Sequence, residues 1–336
     1  MSINLPPSSL PRVVIAGGGF AGLKLAQALD SSLFQIVLID HHNYHQFPPL
    51  IYQVASSGLE PSSIAFPFRA AFKRKKNFIF RLANVIGVEP EQKQLITSVG
   101  EVPYDYLVLA CGGTTNYFGN EQVAKHSLPM KTLYESMNLR NVLLQNIEKA
   151  LVSDNPETRE ALLTVVIVGG GPSGVEIAGA LAEMKRYVLP KDYPYMETDQ
   201  FKIHLIDASP RLLQAMSEKS SRTAAEGLTS LGVEIHHNMM VTDYDGRILT
   251  LGDGTKMNTR TVIWVSGIVA NTVEGIQAES LGRGKRILVD GYNEVLGVPD
   301  VFALGDQCLM TADPAYPQGH PQMAQVAIQQ AALLAK

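Results

Sequence analysis

Residues 13–29 read VVIAGGGFAGLKLAQAL, and residues 165–181 read VVIVGGGPSGVEIAGAL. The second stretch repeats the first at a constant offset of 152 residues, with ten of seventeen positions identical. Each is a β-branched run, then Gly-x-Gly-x-x-Gly, then apolar residues at helical spacing. A continuous apolar run of this kind reads as a buried parallel strand. A glycine turn between such a strand and a helix aims backbone N–H groups at a pyrophosphate. Gly17 and Gly169 permit the tight turn, Gly19 and Gly171 leave room for the phosphates, and Gly22 and Gly174 let the helix pack closely. An acidic residue ending the next strand is expected to hold a ribose. Asp40 ends QIVLID, 18 residues after Gly22, and Asp207 ends KIHLID, 33 residues after Gly174. The excess in the second unit is KRYVLPKDYPYMETDQ (185–200), predicted as an extended helix end and a loop. A glycine turn without a ligand would have to arise twice in the same context. The expected fold class is therefore α/β, with two Rossmann-type dinucleotide-binding domains.

Two sites imply one tightly held and one exchanged dinucleotide. VPDVFALGD (298–306) is a turn, a short apolar strand and Gly305-Asp306. It resembles the flavoprotein segment whose Asp binds the ribityl chain. YDYLVLACGG (104–113) resembles the strand and turn that close an FAD domain, with Cys111 and Gly112 in the turn. These resemblances assign FAD to the first unit and NAD(P)H to the second, a glutathione-reductase-like arrangement, and Asp207 makes NADH the expected donor. The expected domains are a discontinuous FAD domain, residues 1–118 plus 288–336, and an inserted NAD(H) domain, residues 119–287.

The stretch HNYHQFPPLIYQVASSGLEPSSIAFPFR (42–69) and the terminal AQVAIQQ (324–330) resemble the type II NADH dehydrogenases, as do IWVSG (263–267), which ends at Gly267, and HLIDASPRLLQAMSEKSSR (204–222). Members are single-subunit flavoenzymes that pass electrons from NADH to quinone. The resemblance implies FAD and NADH as cofactors, quinone as acceptor and peripheral attachment to the cytoplasmic face of the inner membrane. Family members usually continue into an amphipathic membrane anchor, so Lys336 reads as a truncation point, and the chain as given is expected to be cytoplasmic and soluble. The assembly state stays open, a homodimer included. The rivals are an FAD reductase serving a small redox protein or oxygen, and a non-catalytic NAD(H)-binding signalling flavoprotein.

Three side chains are candidates for the chemistry. Glu176 takes the place that Lys24 holds in the first repeat. It reads either as a carboxylate on a helix N-terminus or as a buried group of raised pKa that passes protons toward quinone. Gln325 and Gln329 share one face of a helix expected to begin near Pro321. They read either as a solvated face or, with their small apolar neighbours, as the lining of the acceptor pocket. Tyr44, His45, Phe47, Tyr52 and Gln53 read as core packing or as groups beside a cofactor.

Bulk properties agree with an ordinary globular enzyme. The 336 residues are 46% apolar and 18% charged, with a net charge of −4 that gives no reason to expect a nucleic-acid partner. Cys111 and Cys308 form no CxxC and no disulfide framework, which argues against disulfide reductases. The histidines show no HExxH or similar spacing, so the sequence assigns no metal.

Overall fold

A computed structural model of the chain describes residues 3–336. Arg12–Ala16 (RVVIA) is a strand, and Val14, Ile15 and Ala16 are fully buried. Both faces of this strand are covered, which is why its sequence does not alternate and is apolar from Val13 to Ala16. It sits at the centre of a five-stranded sheet in the order Val301–Ala303, Tyr106–Leu109, Arg12–Ala16, Gln35–Asp40, Phe78–Leu82, with every pair parallel. The chain leaves the central strand toward Gln35–Asp40 on one side and later returns to the other side at Tyr106–Leu109. The strand order therefore reverses beside Arg12–Ala16, where open α/β sheets bind their ligands.

The second copy folds the same way. Thr164–Val168 is central in the parallel order Leu128–Pro129, Thr261–Trp264, Thr164–Val168, Lys202–Ile206, Val233–His236. Its reversal point lies between Thr164–Val168 and Thr261–Trp264. The helices that follow the two central strands, Phe20–Ala28 and Pro172–Tyr187, start at equivalent positions of the repeat. The 185–200 insertion extends the second helix to Tyr187 and then forms short turns at Leu189–Asp192 and Thr198–Gln200.

Two compact units result. One comprises residues 1–46, 65–114 and 268–336, and the other residues 47–64 and 115–267. These boundaries differ from the expected ones at three places, of which residues 115–118, now in the second unit, are the smallest. Residues 47–64 go with the second unit because the short helix Ile51–Ala55 buries Ile51, Val54 and Ala55 and packs on the helices Leu133–Leu151 and Pro172–Tyr187. Residues 268–287 go with the first unit. Asn271 bonds the Gly112 carbonyl at 3.0 Å, and the Glu274 carbonyl accepts from Val88 N–H at 2.8 Å.

The first unit has apolar residues on both faces of its sheet. One cluster includes Val14, Val37, Leu107 and Val301, and the other Ile15, Leu25, Leu38 and Ala331. The second cluster contains the terminal helix Ala324–Leu334, which packs along Phe20–Ala28. Among the described residues no helix is long and apolar enough to cross a membrane.

Candidate functional site

Within the first unit the predicted site residues gather along one edge of the sheet, at the carboxyl ends of adjacent strands. Gly17 follows the central strand with φ +106°, and a Cβ there would lie 2.2 Å from the Ala110 carbonyl oxygen. Gly19 is the N-cap of Phe20–Ala28, and a Cβ added to it meets nothing within 4 Å. Gly22 packs on the turn itself: its Cβ would lie 1.8 Å from the Gly17 carbonyl oxygen. One glycine thus turns the chain, one leaves open space over the helix N-terminus, and one allows contact with the turn. Such a cradle fits a pyrophosphate.

Asp40 closes the cradle. Its carboxylate accepts from Gly18 N–H at 2.6 Å and from His42 N–H at 2.7 Å. The buried His45 donates its Nδ1–H to the Gly18 carbonyl at 2.9 Å and meets Phe20 edge-on with ring centres 5.4 Å apart. Both sides of the middle glycine are held, one by an acid and one by an imidazole.

The neighbouring turns are stitched together by side chains that sequence reasoning did not single out. Gln307 is fully buried; its Oε1 accepts from Cys111 N–H at 2.8 Å and its Nε2 donates to the Asn271 carbonyl at 2.9 Å. Asn271 closes the ring by donating to the Cys111 carbonyl at 2.8 Å. Gly112 completes the turn with φ +66° and open space at its Cβ position. The Cys111 thiol donates to the Ala16 carbonyl at 3.4 Å, and burial, reinforced by the Asp40 charge, pushes its pKa up to about 12. A thiol held protonated in this way is a poor nucleophile. Asp306 is half-buried in the turn Gly305–Gln307, and its carbonyl accepts from Gln322 at 2.9 Å.

The terminal helix starts at Ala324, three residues later than expected. The Met323 N–H bonds back to the Pro321 carbonyl at 3.0 Å, so Pro321 belongs to a tight turn and Met323 is an extended N-cap. Gln325 and Gln329 are both exposed. The adjacent Gln330 is the buried glutamine: it accepts from Gly305 N–H at 2.8 Å and donates to the Cys308 sulfur at 3.2 Å. Helical spacing of 325 and 329 points to one surface face, and 330 lies about 100° around the helix, toward Gly305 and Cys308.

The second unit repeats the cradle. Gly169 has φ +118°, a Cβ at Gly171 meets nothing within 4 Å, and a Cβ at Gly174 would lie 1.8 Å from the Gly169 carbonyl oxygen. Asp207 accepts from Gly170 N–H and, at 2.6 Å, from Ser209 N–H. The two acids therefore pin the same position of the two loops, Gly18 and Gly170. A cavity of about 260 Å³ opens beside Gly170, Gly171, Asp207, Ser209 and Arg211. The Arg211 guanidinium is held by the carbonyls of Gln214 and Met216, at 2.9 and 3.1 Å. The donor set and the open space fit the adenosine and pyrophosphate of a second dinucleotide. Gly267 ends the turn after Thr261–Trp264 with φ +89°, and a Cβ there would lie 2.9 Å from the Phe118 ring.

Glu176 is exposed, not buried. The helix Pro172–Tyr187 buries Gly174, Ile177, Ala178 and Leu181, and position 176 falls on the other side of that face. It also lies beyond the first turn, which holds no acidic residue, so it is not a cap. Neighbouring protein still crowds the carboxylate enough to raise its pKa above the ordinary glutamate value. Of the aromatic stretch, Tyr44 and His45 stand in the first unit, and Tyr52 and Gln53 in the second, where Gln53 donates to the Tyr52 hydroxyl at 3.1 Å.

The sequence pattern of the pyridine nucleotide-disulphide oxidoreductases matches residues 11–331. A type II NADH:quinone oxidoreductase of Mycobacterium tuberculosis is 34% identical over 340 residues, covering 96% of this chain and 73% of that protein. A second type II NADH:quinone oxidoreductase of the same organism is 33% identical, covering 94% of this chain and 70% of its own length. Among solved structures, NDH2 from Plasmodium falciparum in complex with NADH superposes with a TM-score of 0.89 at 21% identity, over 97% of this chain and 82% of that one.

Proposed function

Because the chain belongs to the pyridine nucleotide-disulphide oxidoreductase family, with type II NADH:quinone oxidoreductases among its relatives, we propose that it oxidises NADH and delivers the two electrons through FAD to a membrane quinone. The observation that carries this reading is the doubled cradle. Two glycine loops, each at the point where its own sheet reverses strand order and each pinned by an acid, supply two dinucleotide sites in one chain.

In this reading the first unit holds FAD through Gly17, Gly19, Gly22 and Asp40, with Cys111, Gly112 and Asp306 on the neighbouring strand ends. The second unit takes NADH through Gly169, Gly171, Gly174, Asp207 and Gly267. Asp207 favours NADH over NADPH because a carboxylate accepts from a 2′-hydroxyl and repels a 2′-phosphate. Bound FAD supplies hydride acceptance and two-electron release. The protein contributes position and exclusion. The glycine loops and helix N-termini bind phosphate charge, and the Gln307–Asn271–Cys111 ring fixes the turns. The protonated Cys111 thiol supports electron transfer without a redox cysteine pair, in keeping with a quinone and not a disulfide as acceptor. Glu176, whose pKa is raised above the ordinary glutamate value by the protein around it, passes a proton during quinone reduction. Gln325 and Gln329, exposed on the terminal helix, offer amide donors to the quinone carbonyls. In this reading attachment to the membrane is peripheral.

The test is steady-state kinetics of Gln325→Ala and Gln329→Ala. A loss confined to quinone reduction, with flavin reduction by NADH intact, is expected. Unchanged quinone kinetics in both variants would return these side chains to a solvated face and leave the acceptor site elsewhere.

A further inference from the structure

The last two strands of the second unit's sheet bring three metal-ligating side chains to one point. Lys202–Ile206 and the edge strand Val233–His236 pair in parallel, with His204 opposite Glu234 and Ile206 opposite His236. Residues two apart on a strand share a face, so His204, Glu234 and His236 stand on the same side. His204 Nδ1 lies 3.2 Å from His236 Nε2 and 3.4 Å from Glu234 Oε2. All three donor atoms fall within 4.8 Å of one another. Two ligands each about 2.0–2.1 Å from a tetrahedral zinc ion are themselves about 3.4 Å apart. Both distances from His204 match that spacing.

We infer that His204, Glu234 and His236 form a binding site for a borderline divalent transition-metal ion of the Zn²⁺ class, which staples the edge strand to its neighbour. Hydrogen bonding alone serves the cluster incompletely. His204 Nδ1 carries at most one proton, so that proton satisfies only one of the two short contacts that converge on it. An ion at the centre takes a lone pair from all three groups and keeps a fourth position for water. Two imidazoles and one carboxylate suit Zn²⁺ and its neighbours, whereas Mg²⁺ and Ca²⁺ prefer all-oxygen sites. The site has a rigid inner ligand and an open outer one: the His204 side chain is 10% exposed and that of Glu234 is 62% exposed. The nearest cation on the same face, Lys202, is paired with Glu160 at 2.6 Å. The ligands come from two strands about thirty positions apart in sequence, which is why no short metal motif announces them.

The experiment titrates Zn²⁺ against a chromophoric chelator in the full-length, FAD-loaded chain, as wild type, His236→Gln and Glu234→Gln. Wild type is expected to bind Zn²⁺, and each variant to bind it about tenfold more weakly or worse. Amide exchange over residues 233–236 should slow on adding Zn²⁺ to wild type, stay fast in both variants, and not respond to Mg²⁺. A metal-free melting temperature equal to wild type confirms that each variant folds. Should a variant fail that check, X-ray absorption on Zn²⁺-loaded wild type must still show two imidazoles in the ligand shell. No Zn²⁺ binding by wild type, equal affinity in both folded variants, or a shell without the imidazole pair would overturn the site. Equal affinity would move the ion to another cluster such as Asp40, His41 and His42.

Discussion

Gly171 and Gly174 stand three residues apart, yet the same added methyl group should do opposite things to them. A Cβ at Gly171 meets no protein atom within 4 Å. The backbone there, at φ −75° and ψ −175°, is one that alanine adopts without strain. Gly171→Ala should therefore cost on the order of 0.5 kcal/mol, the difference between glycine and alanine at an N-cap. The methyl fills the space over the helix N-terminus instead. Losing phosphate contact with that terminus is worth about 1–2 kcal/mol, or roughly a five- to thirtyfold weaker hold on NADH. At Gly174 the Cβ would lie 1.8 Å from the Gly169 carbonyl oxygen and 3.0 Å from its carbon. Both atoms are backbone, so the helix must move off the turn. Overpacking of that kind costs about 1–3 kcal/mol, which lowers the melting temperature by about 2–12 °C for a unit of this size. The assay pairs thermal unfolding with stopped-flow flavin reduction at varied NADH, both in FAD-saturated protein. Gly171→Ala should lose NADH affinity and keep its melting temperature, and Gly174→Ala should lose the melting temperature first. Equal NADH affinity in wild type and Gly171→Ala would refute the claim that the open space above this loop receives a pyrophosphate.

Two further substitutions probe the first unit and the proton path. Gln330→Leu leaves the buried Gly305 N–H without an acceptor, at a cost of about 1–3 kcal/mol. Its FAD should dissociate faster than wild type by fluorescence recovery, while Gln330→Glu, which keeps the acceptor oxygen, should retain more of the flavin. The Glu176 pKa is raised in the fold because neighbouring protein partly desolvates its carboxylate, so the charged form is disfavoured there. That penalty is absent below the unfolded-state pKa and grows as pH rises through the ordinary glutamate range up to the folded value. Glu176→Gln should lack this loss of melting temperature with rising pH. It should also flatten the pH profile of flavin reoxidation by quinone while leaving reduction by NADH near normal; a pH profile identical to wild type would remove Glu176 from the proton path.

Much of the fold was legible because both glycine motifs lie in contexts that only one local structure satisfies. An apolar β-branched run, three glycines and an apolar helix specify strand, turn and helix together, and the 152-residue offset carried that reading from one copy to the other. The site was legible only where a residue acts through its own backbone position, as with the glycines and the strand-end acids Asp40 and Asp207. Residues that act through long-range hydrogen bonds carried no local signal. Gln307 reaches Cys111 across 196 positions and Gln330 reaches Gly305 across 25. Glutamine at either place reads as an ordinary helix or turn residue until the partner is known. Glu176 shows the opposite failure. Its place after the second loop suggested burial, whereas the helical period assigns burial to Gly174, Ile177 and Ala178. The boundaries shifted for a similar reason: the helix Ile51–Ala55 has its apolar partners on helices that begin only at Leu133 and Pro172, far along the chain.

The central claim is that this chain couples NADH oxidation to quinone reduction through bound flavin. Anaerobic double-mixing stopped flow measures it most directly, with purified FAD-loaded protein mixed first with NADH and then with a quinone. The account predicts loss of the oxidised-flavin absorbance on the first mix, slower loss with NADPH, and full recovery on the second mix at a rate no lower than steady-state turnover. Flavin that NADH does not reduce, or reduced flavin that quinone fails to reoxidise while oxygen or a small redox protein does so readily, would contradict it.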